Sequence, residues 1–487
     1  MKLRFGLVLS SALTLALGGC AASSGGSSAP ATAPEVTGGA VLAQGERPRE
    51  DENTRAAEDH LEQAEASATP DEAAVHYRAA LQSAQAAIQG DTLNPLAYRL
   101  AAQANLGLGD YEAAGAMFDE AERLRPIYTI ETERTRELAW IDRYQAAAPL
   151  VNAGDYEAAV VYFEQANAIY QGRPEVMITL GQVYAQLGDF EKSIENLRAA
   201  QDIINSDRIN EMDEETAASW REQGEEIPVM IAQSLVNAGR YDEAVVALRE
   251  LVAQDPTNLS FRRTLGSTYV RMEQPDSAKA VFDEMMSMGG MTSAEYYAVG
   301  VGYYQMEDFI SAARAFEAAA EVSVNDREAL EMLARALQIE YPAGGDAPTP
   351  PPGVLEKLRG AAERWVELDP NNQNAYLILA QTVNRLGDED RARDLVGAIE
   401  ALPVTVEGIQ MQRASSGGGI VLGTIRNKTV PAGTTATVEV TFYAPDGTVM
   451  GTQTARVQLG EAETSQDFRV DFDTTEYVGG YSYEVIL

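Results

Sequence analysis

Between about Thr54 and Pro403 the chain repeats one pattern of apolar and polar positions. A helical stretch ends in a short turn carrying Gly, Asp or Gln, and a second amphipathic stretch follows. Examples are "LGLGDYEAAGAMFDEAERLRP" (106–126), "LVNAGRYDEAVVALRELVAQDP" (235–256) and "YYQMEDFISAARAFEAAA" (303–320). The second stretch places a small residue, a large apolar one four later and an apolar one three after that: Ala114, Phe118, Ala121; Ala159, Phe163, Ala166; Ala312, Phe316, Ala319. Steps of four and three keep these on one face of an α-helix, so the pattern predicts paired helices that each bury a stripe against their neighbours. Beyond Pro403 the period changes. "ATVEVTFYAPDGTVMGTQTARVQL" (436–459) alternates apolar and polar residues about a "PDG" turn, which predicts a β-hairpin. "GIVLGTIRNKT", "TSQDFRVDF" and "YSYEVIL" also read as strands, and together they predict a small antiparallel β-sandwich over 404–487.

The helical period is fixed where it is clearest. Ala244 to Ala278 is 34 residues, and Ala278 to Ala312 is another 34. Paired helices at this period make the chain resemble the tetratricopeptide-repeat family. The repeat opening at Pro95 carries that family's Tyr98, Ala102, Ala114, Phe118, Ala121 and Pro126. The one opening at Pro174 carries Gly181, Tyr184, Ser193, Leu197 and Ala200, and those near Leu259 and Ser293 carry Gly266, Tyr269, Ala278, Phe282 and Gly300, Tyr303, Ala312, Phe316. The resemblance implies a mainly α fold: an α-solenoid of about eight repeats over 54–403, the first degenerate (54–90), with insertions near 127–140, 203–224 and 342–353. The last insertion, "PAGGDAPTPPPG", reads as an exposed polyproline-like loop. The C-terminal part resembles bacterial FxLYD-type domains, with Gly423, Ile425 and Asn427 in the opening strand. Phe442-Tyr443-Ala444 stands where that family has an apolar-Tyr-Asp motif, and the acid comes later, at Asp446.

The N-terminus has the order of a secretory signal: Lys2 and Arg4, an apolar run Phe5–Leu17, then Gly18, Gly19 and Cys20. The run is shorter than the ~20 residues that cross a bilayer. Leu17-Gly18-Gly19-Cys20 resembles the lipobox of bacterial lipoproteins. It implies removal of residues 1–19 and acylation of Cys20, and Ala21 in place of Asp implies the outer membrane, facing the periplasm. Cys20 is the single cysteine of the chain, so no internal disulfide forms. Residues 20–53, rich in Ser, Gly, Ala and Pro, are expected to be a flexible tether. A net charge of −37 argues against nucleic acid or anionic headgroups as partners.

Candidate chemistry is sparse. His60 and His76 are the two histidines, and they read as surface or half-buried residues. "SSGGGIVLG" (415–423) lacks the Lys-Ser/Thr of a phosphate loop and is expected to be a hinge between helices and sandwich. "LDPNNQNAY" (368–376) reads as an inter-repeat turn with a helix cap. No catalytic set, metal site or cofactor is expected, and a small-molecule substrate is not. The family's concave groove, carried over in register, gives Arg99, Gln103, Tyr144, Gln182, Gln233, Asn237, Arg263, Tyr297, Tyr304, Gln381 and Asn384 as candidates. Amides offer both donor and acceptor to a peptide backbone, and tyrosines add apolar area with a polar tip. The expected function is a lipid-anchored envelope scaffold binding proteins or extended peptides, in envelope assembly or secretion. The alternatives are a regulator of a cell-wall-polymer enzyme with a glycan-binding sandwich, or a structural spacer.

Overall fold

A computed structural model describes residues 45–343, 349–413 and 417–487. The signal sequence, Cys20, most of the expected tether and the centre of the Pro-rich loop lie outside the described residues. The chain forms two compact units. One takes the described residues up to Ala101 together with Met117–Thr132; the other takes Ala102–Ala116 and Glu133–Leu487.

The described residues form nine helix pairs in succession. They are α1 (Glu52–Glu65) and α2 (Pro70–Gly90), α3 (Pro95–Gly107) and α4 (Tyr111–Leu124), α5 (Tyr128–Asn152) and α6 (Tyr156–Ile169). Next come α7 (Glu175–Leu187) and α8 (Phe190–Ile204), α9 (Glu214–Asn237) and α10 (Tyr241–Gln254), α11 (Leu259–Arg271) and α12 (Pro275–Met288). The last are α13 (Ser293–Gln305) and α14 (Phe309–Val322), α15 (Arg327–Glu340) and α16 (Val354–Leu368), α17 (Gln373–Arg385) and α18 (Glu389–Ala401). Nine pairs replace the expected count of about eight, because the insertions hid the period without adding separate elements. The extra residues near 127–140 lengthen α5 to 25 residues, and those of 203–224 form a short 3-10 turn (Asp207–Glu211) and the first turns of α9.

The recurrent Gly-Asp of the sequence is a turn device. Gly154, Gly188 and Gly387 take positive φ, and the Asp that follows each caps the next helix: Asp155 accepts from Ala158 N, Asp189 from Lys192 N, Asp388 from Arg391 N. The small-large pattern is the helix crossing. Phe282 of α12 is fully buried between Gly266 of its own pair and Gly302 of the next, and a Cβ at either glycine would overlap its ring. Two backbones approach because the side chain between them is absent, and the aromatic fills the remaining space.

Contacts to the repeats begin before residue 54. Glu46 N donates to Leu124 O at 2.8 Å, and Arg49 and Asn94 exchange two hydrogen bonds, Arg49 N to Asn94 Oδ1 (3.0 Å) and Asn94 Nδ2 to Arg49 O (2.7 Å). Residues 45–51 are therefore bonded to the first repeats rather than free tether.

Six strands follow: β1 (Val404–Arg413), β2 (Gly419–Asn427), β3 (Thr435–Tyr443), β4 (Val449–Gln458), β5 (Ser465–Phe472) and β6 (Gly480–Ile486). They form two antiparallel sheets, ordered β1-β2-β5 and β4-β3-β6, around one core that includes Val404, Ile425, Val440, Phe442 and Phe468. Asn427 is buried at the end of β2, where its side chain donates to Val430 O and Gly460 O and accepts from Val430 N. The glycine run Gly417–Gly419 is not a hinge between helices and sheets. It lies within the β1–β2 hairpin, and helix gives way to strand at residues 402–403 with no spacer.

The sheets are seated on the turns before α15 and after α16. Val324 N donates to Pro445 O (3.1 Å), Val406 N to Asn371 O (3.1 Å) and Asn371 Nδ2 to Val404 O (3.1 Å). Beneath these lies a polar cluster. Asp369, fully buried, takes Arg327 Nε (2.9 Å) and Nη2 (2.6 Å), Trp365 Nε1 (3.2 Å) and Asn372 Nδ2 (2.7 Å) on one oxygen and Tyr483 OH (2.6 Å) on the other. Glu328 Oε1 accepts from Tyr481 OH (2.9 Å) and Met411 N (3.1 Å), while its Oε2 is buried without a partner. Burial, and then Asp326 beside it, push the Glu328 carboxyl above the ordinary glutamate range.

Candidate functional site

Some first helices of neighbouring pairs adjoin: α7 meets α9, α11 meets α13 and α15 meets α17. The groove candidates lie on first helices, but they divide by what already holds them. Arg263, Asn237 and Asn384 are exposed. Gln103 is half-buried on α3. Gln233 Nε2 donates to Asn237 Oδ1 (3.2 Å), which leaves the Gln233 carbonyl and the Asn237 amide N–H groups for a partner. Gln182 Nε2 reaches Met230 Sδ (3.5 Å), and Gln381 Oε1 accepts from Gln338 Nε2 (2.9 Å), an amide that the sequence reading passed over.

The tyrosines are structural. Tyr144 stacks on Trp140 with ring centroids 5.0 Å apart, touches Phe163, and places its hydroxyl 3.3 Å from Thr179 Oγ1. Tyr297 packs on Phe316 (5.3 Å) and Tyr304 meets Phe309 edge-on (5.2 Å). Burial raises the pKa of Tyr144 and Tyr297, in the second case aided by the carboxylate of Glu328. Arg99 lies 4.8 Å from the Tyr128 ring centroid and bonds Glu131 at 3.1 Å. The surface left for a ligand is therefore amide and arginine in character, not aromatic.

The inserted segment makes a second concavity. An open cleft of about 620 Å³ lies between α8, α9, α10 and α11, lined by Ile204, Ile209, Arg221, Pro228 and Phe261. His60 and His76 face each other across the first pair with ring centroids 6.3 Å apart. Among the described residues no group of three or more His, Cys, Asp or Glu is placed to hold a metal ion, and no helix is long and apolar enough to cross a membrane.

Residues 150–208 and 235–299 match the family described as Tetratricopeptide repeat. No curated protein matches the chain. Among solved structures, the C-terminal part of a TPR repeat-containing protein from Cytophaga hutchinsonii is similar at 16% identity, over 53% of this chain and 95% of that one, with a TM-score of 0.40. YrrB, described as a TPR protein with an unusual peptide-binding site, is similar at 18% identity over 38% and 91%, with a TM-score of 0.30. MamA is similar at 19% identity over 35% and 92%, with a TM-score of 0.28. The matched segments cover α6 to α8 and α10 to α12, and the same crossing of small residue over buried aromatic continues at Gly300 and Phe316 beyond them. Over these two segments the chain is similar to tetratricopeptide repeats, and helix pairs continue on either side of them.

Proposed function

We propose that the protein is an envelope scaffold that binds protein partners or extended peptides along its first helices and is held to a membrane by lipid on Cys20. The observation that supports the binding surface is the set of polar groups on the first helices: Gln182 and Gln233 at equivalent positions of α7 and α9, with Asn237, Arg263 and Asn384 at neighbouring positions of α9, α11 and α17. Amides and a guanidinium suit the carbonyl and N–H groups of an extended chain. The lipid anchor rests on the Leu17–Cys20 motif, and the outer membrane facing the periplasm on Ala21. The glycan-binding alternative is less favoured. In the sandwich Phe442, Phe468, Tyr481 and Tyr483 are buried and Phe472 stacks on Phe442 (4.6 Å), which leaves Tyr477 as the exposed ring for a sugar to stack on. The test is Gln233→Ala with Arg263→Ala, titrated calorimetrically against a partner recovered by crosslinking in intact cells. A tenfold or greater loss of affinity, about 1.4 kcal/mol, is expected. Unchanged affinity places the partner elsewhere. Cys20→Ala should release the protein from the membrane fraction.

A further inference from the structure

The repeat array is closed at one end and open at the other. From α8 to α16 the second helices are covered twice, by their own first helix and by the first helix of the next pair. Phe282 and Phe316 are 0% exposed for this reason. The covering helix presents a small residue at the crossing: Ser234, Thr268, Gly302, Ala336 and Thr382 occupy that position in five successive pairs, and all are buried. Ser234 Oγ lies 3.0 Å from Ser193 Oγ of α8, and Gly302 lies on the Phe282 ring.

On α18, Ala392, Val396 and Ile399 repeat the register of Ala312, Phe316 and Ala319. No following helix covers them. α18 has no buried residue, Val396 is 44% exposed, and so is Leu377 on α17. A shallow cleft of about 400 Å³ runs between the two, with Ala380 and Ala392 at its floor and Gln381 and Asn384 at its rim. The sandwich does not close it. The sheets sit on the turns flanking α15 and α16, and they reach α18 at its C-terminal end, where Lys428 Nζ approaches Ile399 O (3.4 Å). The first helix is different in kind: α1 exposes Arg55, Asp59, Glu62 and Gln63, the polar outer face that terminates a repeat array.

We infer that the α17–α18 face is a docking site for one amphipathic helix of a partner protein, seated in the register of a further first helix. Continuity with the interface repeated along the array specifies the occupant. It is a helix with Gly, Ala, Ser or Thr at the crossing over Val396 and an apolar stripe on either side. The rim carries one acid and one base, Glu389 and Arg393, beside Gln381 and Asn384, so the flanks of that helix are polar. Head-to-tail stacking of a second copy is disfavoured, because α1 offers a polar face to this apolar one. The surface meets the polar set on the first helices at Asn384 alone, and the Gln233–Arg263 part of that set lies on other helices, so the two can be tested separately.

The probe is a lactam-stapled, fluorescently labelled peptide of residues 292–306, the segment that covers α12, titrated into the full chain by anisotropy. Binding is expected, weakened at least tenfold (about 1.4 kcal/mol) by Val396→Asp and by Leu377→Asp in the protein, and equally by Gly302→Trp in the peptide. Gln233→Ala with Arg263→Ala should leave it unchanged, which separates this site from that part of the polar set. Both protein variants lie at exposed positions, and unchanged circular dichroism certifies each. Failure to bind at millimolar peptide overturns the inference, as does binding that neither variant weakens. So does a concentration-dependent dimer of the wild-type chain that Val396→Asp dissolves, since that makes a second copy the occupant.

Discussion

Two joints in this molecule solve the same packing problem with opposite chemistry. Where α12 meets α13, the centre of the contact is apolar, a ring clamped between two glycines, with Tyr303 OH donating to Asp283 (2.7 Å) beside it. Where the sheets meet the turns around α15 and α16, contact is polar: Asp369, Arg327, Glu328, Tyr481 and Tyr483 are withdrawn from water and bonded to one another. An apolar joint loses stability in proportion to the area and volume removed. A buried polar joint fails by leaving a group without its partner, which costs more per atom.

The largest effect is therefore expected at Asp369→Ala. It strips acceptors from Arg327, Trp365, Asn372 and Tyr483 at once, leaving Glu331 as the ion-pair partner of a buried guanidinium. Loss of about 3–5 kcal/mol in urea denaturation is expected. Limited proteolysis should then cut between α18 and β1. Gly302→Val attacks the apolar joint. Overpacking against Phe282 should cost about 1–3 kcal/mol while leaving the sandwich resistant to protease. If Gly302→Val freed the sandwich as readily as Asp369→Ala, the two joints would be one cooperative structure and the contrast would fail.

A smaller effect sharpens the contrast through pH. Folding raises the Glu328 pKa, so the native state keeps a proton that the unfolded chain has already released. Stability should then fall as pH climbs from the ordinary glutamate range through the raised value, and not below that range. Glu328→Gln keeps an acceptor for Tyr481 and Met411 without the titration, so melting temperatures of the variant should depend less on pH across that window. The smallest effect is expected for Gln233→Ala with Arg263→Ala. These are groups at the surface of the first helices, and stability should stay within about 0.5 kcal/mol.

The apolar joint was legible in the sequence and the polar one was not, for one physical reason. Small-large-small spacing at Ala312, Phe316 and Ala319 has a period, and a period survives without coordinates. Asp369, Asn371 and Asn372 have none. Each reads locally as a turn or cap residue, and Asn372 does cap α17, accepting from Asn374 N and Ala375 N. That Asp369 also receives Tyr483 from 114 residues away has no local signature. The glycine run misled for the same reason, since a hairpin turn and an interdomain hinge share a composition. The groove was half legible. Register placed Gln233, Asn237 and Arg263 at the surface, but not Tyr144 and Tyr297, because that position is partly roofed by the next first helix.

The seating of the sheets also sets an order in time. Glu328 waits for Tyr481, 153 residues later, and Asp369 waits for Tyr483 in the same strand. A chain made from its N-terminus can stack its earlier repeats as they emerge, since each needs little more than its neighbours. The eighth pair cannot finish. Until β6 is made, Arg327 and Asp369 face water or a half-built partner, and closing so long a loop is slow. The C-terminal third is then the last region to become native, and the one where an interrupted or truncated synthesis leaves a charged seat exposed.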